Sequence, residues 1–174
     1  MNLFFRRLWV YLRAQLSTKQ EPLTDAYSLI FRVWLTDQDM FLHMTNSRYL
    51  SFSDLARLNM LIRTGIGRAM KANGWSLNAV AQTRTIARML KSPQTFEIVC
   101  QIEAWDDQHL AICHRLQRNG KIHAELRALM QLHDASGAVV STDALLTVIG
   151  HETPSEDMPA NFRSLIDAAR LATE

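Results

Sequence analysis

The sequence predicts an α+β domain: an antiparallel sheet wrapped round one long central helix, with extra helices at the N- and C-terminal ends. Three observations carry this. Strand-like segments with one wet face fill most of the second half of the chain, a helix with apolar side chains nearly all round precedes them, and one strand stands ahead of that helix. An antiparallel sheet that hides one face needs an apolar element lying on it, and that helix is the only candidate inside the domain. The 174 residues are enough for one sizeable core and argue for a single domain.

Residues 1–20 read as an amphipathic basic helix. Within NLFFRRLWVYLRAQL, residues 2–16, the arginines stand inside the apolar run, unlike a signal peptide, whose charge comes first. Fifteen helical residues span roughly 22 Å, short of a hydrocarbon core of about 30 Å. On a helical wheel Asn2, Arg6 and Arg13 fall together and leave a broad apolar surface with Trp9 at its margin. Two readings stay open. The segment docks on its own domain or a partner subunit, or it lies in a membrane interface with arginines toward head groups. In either case it is expected to be dispensable for folding.

The main domain is expected over 25–150. Pro22 breaks the chain, and Tyr27 to Leu35 alternates as a strand. TDQDMFLHMTN, residues 36–46, is a polar loop, and Thr45 or Asn46 is the N-cap of a helix over 47–64. That helix carries Tyr49, Leu50, Phe52, Leu55, Leu58, Leu61 and Ile62, the pattern of an enclosed helix. Gly65 and Gly67 end it, and a short turn runs to Asn73-Gly74.

From Trp75 to Ile149 everything reads as strands, about five of them. Phe96, Ile98, Cys100 and Ile102 alternate with polar residues, and Leu110, Ile112 and Leu116 do the same. Asn119-Gly120 is a hairpin signal leading into Ile122 to Met130. Ala135-Ser136-Gly137 turns the chain into a last strand ending near Ile149. A final helix over 158–172 has Phe162, Leu165, Ile166 and Ala169 on one face. A sheet wrapped round a helix in this order is the hotdog fold.

Charge narrows the partners. The formal net charge is +2, but the first 20 residues carry +4 and the remainder −2. A basic stripe on the domain is missing, which argues against nucleic acid. Two cysteines, Cys100 and Cys113, at no ligand spacing, suggest a reducing, cytoplasmic compartment and no disulfide framework. No metal site is visible, because Asp39 and His43 alone are two ligands.

The segment TDQDMFLHMTNSRYLSFSDLAR resembles the active-site segment of the 4-hydroxybenzoyl-CoA thioesterase-like branch of hotdog proteins, acyl-CoA thioesterases among them. Asp37, Asp39, His43, Met44, Asn46 and Tyr49 sit where that motif puts its residues, and the likeness covers about 25–150. The resemblance implies hydrolysis of an acyl-CoA or acyl-carrier thioester without a cofactor, in a homodimer or dimer of dimers. It carries the role of general base or nucleophile to Asp39, with His43 and Asn46 beside it. Asp54, on the helix, is the reserve carboxylate of a second arrangement. Phe41, Thr45 and Tyr49 are the substrate-binding candidates. The chemistry suits a helix N-terminus, whose free N–H groups and dipole stabilise an oxyanion.

The chain departs from the pattern at Phe41, where many relatives carry Asn, and at Thr45-Asn46, where the usual pair is Asn-Asn. Phe41 offers no hydrogen bond, so any mechanism using that Asn to orient water is unavailable.

Simpler readings stand beside these. Asp39 caps a turn, His43 anchors the loop, Asn46 caps the helix, Asp54 pairs with Arg57, and Tyr49 is core. Arg84, Arg88 and Lys91 are candidates for CoA phosphates. A non-catalytic acyl-thioester binding protein and a hotdog hydratase are the competing functions.

Overall fold

The computed structural model describes residues 2–16, 20–151 and 157–171. Helix α1 (Asn2–Gln15) is followed by strand β1 (Tyr27–Arg32), a single 3-10 turn (Leu35–Asp37), helix α2 (Asn46–Arg63) and helix α3 (Ile66–Asn73). Strands β2 (Ser76–Ile86), β3 (Thr95–Trp105), β4 (His109–Arg118), β5 (Lys121–His133) and β6 (Val139–Val140) come next, then helices α4 (Thr142–Ile149) and α5 (Ala160–Leu171). The sheet runs β1-β3-β4-β5-β2, with β6 paired to β5 and every pairing antiparallel. Asn119 and Gly120 both have positive φ, the twist a two-residue hairpin requires.

The core lies between α2 and one face of the sheet. Tyr49, Phe52, Leu55, Ala56 and Met60 point inward from the helix, onto Leu29, Phe31, Phe96, Ile98 and Ile112 among others. Phe52 sits 5.0 Å from both Phe31 and Phe96, ring centre to ring centre. Each buried aromatic of this kind is worth about 1.5–3 kcal/mol, and truncating one costs about 3–5. On the opposite face α5 lays Phe162 and Leu165 over Ala104, Ala111, Cys113 and Leu129. The rest of that face carries charge, with Arg115 joining Glu103 and Glu125.

Four expectations are corrected. The strand expected to run on to near Ile149 is only β6, Val139–Val140, and the chain then enters helix α4, because Ser141 caps it by accepting the Ala144 N–H at 3.2 Å and Gly150 closes it in the left-handed region. The turn expected over 65–74 contains α3, between Gly65 (φ 83) and Gly74 (φ 69). The first strand stops at Arg32, before the 3-10 turn. Helix α2 is not enclosed all round: Asn46, Ser47 and Asp54 are exposed, and Leu50, Leu58 and Leu61 only half-buried.

The N-terminal segment docks on its own domain, with Arg6 turned inward among small and aliphatic side chains. Leu3, Arg6, Val10 and Ala14 form the inner stripe, and Val10 is fully buried in the main core. Phe4, Phe5, Leu8, Leu12 and Leu16 face outward. Arg6 can be inward because Asp37 answers its charge and the Phe52 ring lies 4.8 Å from its guanidinium. Since Val10 belongs to the core, removing the segment would take packing with it.

His114 is buried on the α2 side of the sheet, opposite Cys100 and Leu126. Burial pushes its pKa from 6.5 down to about 3, nearby Arg57 adds to the push, and the Leu126 backbone opposes it. Between those two values the unfolded chain binds a proton that the folded chain refuses. The contribution is therefore full above pH 6.5 and is lost as pH falls toward 3, at up to about 1.4 kcal/mol per pH unit. In denaturant titrations across that range His114→Leu should flatten the acid limb by about one proton. An unchanged slope would mean that His114 titrates alike in both states.

Candidate functional site

The loop between β1 and α2 is a small hairpin. Gln38 and Met44 form an isolated bridge, the Asp39 N–H donates to the His43 carbonyl at 2.9 Å, and Met40, Phe41 and Leu42 make the tip. This brings Asp39 and His43 together across the turn. The hairpin feeds directly into Thr45 and Asn46. Asp39, His43, Thr45 and Asn46 therefore share one end of α2.

The Asp39 carboxylate is exposed and works partly for the loop. Its Oδ1 accepts from the N–H of Phe41 at 2.9 Å and of His43 at 3.3 Å, the turn-capping role. Both bonds fall on one oxygen, so Oδ2 is the oxygen available to a proton. The tip is unusual for solvent: Met40, Phe41 and Leu42 are 86, 71 and 65% exposed. Leu42 is also held at φ 60, a left-handed conformation that costs a residue with a side chain about 1–2 kcal/mol. Backbone strain of this kind collects at functional loops.

Helix α2 opens without a side-chain cap. Thr45 occupies the cap position, but its hydroxyl meets Ser47 Oγ at 3.2 Å instead of a backbone N–H. The expectation of a cap from the Asn46 side chain is corrected: Asn46 is the first helical residue and is exposed. The first N–H groups of a helix without such a cap are open to a ligand. Arg84 of β2 donates to the Asn46 carbonyl at 2.8 Å, which sets a guanidinium beside the positive end of the helix. Like charges gathered there favour an anion between them.

Two candidates fall outside this group. Tyr49 is fully buried and accepts the Leu90 N–H at 3.1 Å, so it holds the 87–94 loop and offers no face to a ligand. Burial pushes the phenol's pKa up, against that backbone donor. Asp54 lies eight residues beyond Asn46, about 12 Å along the helix, paired to Arg57 at 2.5 Å. Arg84 serves Asn46, and Arg88 donates to the Ile122 carbonyl at 3.4 Å.

The residue that sequence reasoning passed over is Asp37. The motif gives it no role beyond that of its first acid, yet it is fully buried and joined to both Arg6 and Arg48. A sequence signal existed in part: Arg48 stands within the first turn of the helix that the motif opens.

The sequence profile of the Thioesterase-like superfamily matches residues 33–163, from the end of β1 into α5. Protein THEM6 of Xenopus laevis is 34% identical over 105 residues, which cover 60% of this chain and 51% of that protein. The chain spans about half the length of the curated relatives it matches. Among solved structures, YbaW, a probable thioesterase from Escherichia coli, superimposes with a TM-score of 0.66 at 16% identity, over 71% of this chain and 95% of that one. BH1999 gentisyl-coenzyme A thioesterase gives 0.60 at 18%, over 69 and 98%. With the wrapped helix, the loop at its N-terminus and a profile match over well more than half its length, the chain belongs to the Thioesterase-like superfamily and has the hotdog fold.

Proposed function

We propose that this protein hydrolyses acyl thioesters, with coenzyme A as the favoured carrier, at the N-terminus of α2. The single observation that carries the reading is the juxtaposition of Asp39 with an uncapped helix start beside Arg84. The thioester carbonyl oxygen accepts from the first N–H groups of α2, which stabilise the charge it gains as carbon becomes tetrahedral. Asp39 takes a proton from water as the water oxygen bonds to that carbon. The C–S bond then breaks, and the thiolate leaves and takes up a proton. An attack by Asp39 itself, through an anhydride that water opens, uses the same geometry. The coenzyme A preference draws on the gentisyl-coenzyme A thioesterase to which the fold is similar.

Phe41 favours a second reading, a binding protein that kept the pocket and lost efficient chemistry, because it gives no polar group to orient water. Thiol release from a panel of acyl-CoAs separates the two. For the hydrolase, Asp39→Asn lowers kcat by at least about 100-fold with KM little changed, the usual cost of losing a general base. Asp54→Asn costs far less, through the lost pairing with Arg57. A dead Asp54→Asn beside an active Asp39→Asn would move the chemistry to the helix carboxylate.

The proposal includes a homodimer. Not one of the eleven residues of edge strand β2 is buried, and Arg84 of that strand reaches the start of α2 at the Asn46 carbonyl. An uncovered edge of that length is usually paired. Light scattering should give twice the 19.9 kDa of the chain at micromolar concentration, and a single-chain mass would end the idea.

It also includes a cytoplasmic location with peripheral contact at the inner face of a membrane, through an anionic surface. The outward apolar side of α1, with Arg13 stacked at 5.3 Å from Trp9, has the layout of an interfacial helix. No described helix is long and apolar enough to cross a membrane. Vesicles containing anionic lipid should co-float with the protein at low salt and release it at high salt. Indifference to such vesicles would leave α1 as a docking helix only.

A further inference from the structure

We infer that Arg6 of α1 is a positioning residue for the start of α2, acting through the buried carboxylate of Asp37. Its consequence for turnover rests on the hydrolase reading; the clamp itself does not.

Asp37 is 0% exposed, and each of its oxygens is engaged. Arg6 grips both in a fork, Nη1 to Oδ1 at 3.2 Å and Nη2 to Oδ2 at 2.8 Å. Arg48 reaches Oδ1 with Nε at 3.3 Å, and the Trp34 N–H donates to Oδ2 at 2.9 Å. One carboxylate thus ties together the N-terminal helix, the 3-10 turn and the first turn of α2. The backbone repeats the tie: the Asp37 carbonyl accepts the Thr45 N–H at 2.9 Å, and Thr45 is the cap residue of α2. Arg48 also donates through Nη2 to the Thr36 carbonyl at 3.3 Å, and Arg6 through Nη2 to the Arg32 carbonyl at 3.2 Å.

The charges explain why Arg6 is needed. A buried carboxylate is tolerated only when paired and fully hydrogen-bonded. Arg48 by itself makes one contact at 3.3 Å and is shared with Thr36. The bidentate grip, which fixes both distance and orientation, comes from Arg6. Without it Asp37 either draws water into the turn or swings toward solvent, and Thr45 and Arg48 move with it. The first N–H groups of α2 are the proposed oxyanion donors, so a small displacement there acts on the transition state more than on substrate binding. Lysine would keep the charge but lose the fork.

Three variants of the full chain test this. Arg6→Met keeps the length and apolar stem of the side chain and removes the grip. Val10→Ala, one turn along the same inner stripe, loosens the docking of α1 without touching Asp37. Arg6→Lys is the conservative partner. Two readouts are taken, acyl-CoA hydrolysis and amide hydrogen exchange across residues 38–49, with thermal midpoints alongside.

Arg6→Met is expected to lower kcat by about 10- to 100-fold with KM changed less than about threefold, and to speed exchange over 38–49. Val10→Ala should lower the thermal midpoint while leaving kcat and that exchange as in the wild type, and Arg6→Lys should recover part of both losses. The inference is overturned if Arg6→Met and Val10→Ala lower kcat alike for the same loss of midpoint, or if Arg6→Met leaves exchange over 38–49 unchanged. A wild-type protein with no turnover at all removes the hydrolase reading, and the exchange comparison then decides the clamp on its own.

Discussion

The burial of one face of the sheet by α2 is the constraint on which the rest of the structure depends. Leu29, Phe31, Phe96, Ile98, Ile102, Ile112 and Leu116 present an apolar surface that water cannot be left to cover, and one helix supplies Tyr49, Phe52, Leu55, Ala56 and Met60 to meet it. Everything that flanks α2 is then fixed in place. Its N-terminus emerges beside Arg84 of β2, and the loop that enters it turns back tightly between Gln38 and Met44. The proposed site is a product of that packing: a hairpin, an uncapped helix start and a nearby guanidinium converge because the core leaves them no other arrangement.

Charge is managed differently on the two sides of α2. At its start a buried acid is met by two arginines, so the entering loop gains orientation from groups drawn from both α1 and α2. Along its outer side Asp54 is 64% exposed at the side chain and pairs with Arg57, a contact that water screens and that contributes little. The contrast separates Asp37 from Asp54, and Asp39 is a third case. Asp37 is inaccessible and structural; Asp54 is an ordinary helix pair; Asp39, exposed beside the left-handed Leu42, is the acid proposed as the base.

The exposed apolar groups also fall into an order. Scattered single side chains need no explanation, but the outer side of α1 and the tip formed by Met40, Phe41 and Leu42 are contiguous in sequence and far more exposed than their hydropathy favours. Together with the unburied β2 edge they are the surfaces on which the homodimer and the membrane contact are proposed.

The alternation in β3 and β4, the Asn119-Gly120 hairpin and the apolar run from Tyr49 to Ile62 are local signals, and local stereochemistry obeyed them; the fold and the family were legible for that reason. Helix α4 was missed because its eight residues are too short a window to separate one period from another, and the Ser141 cap decided the matter. The motif likewise marked the candidate loop, since Asp39, His43 and Asn46 are close in sequence. What the tertiary structure alone decided is which side of α1 faces inward and which acid is buried. Arg6 and Asp37 stand thirty-one residues apart, and neither has a spacing that announces the other. A helical wheel ranks side chains by hydropathy and so turns Arg6 outward. Only the folded chain supplies the carboxylate and the Phe52 ring that make its burial favourable.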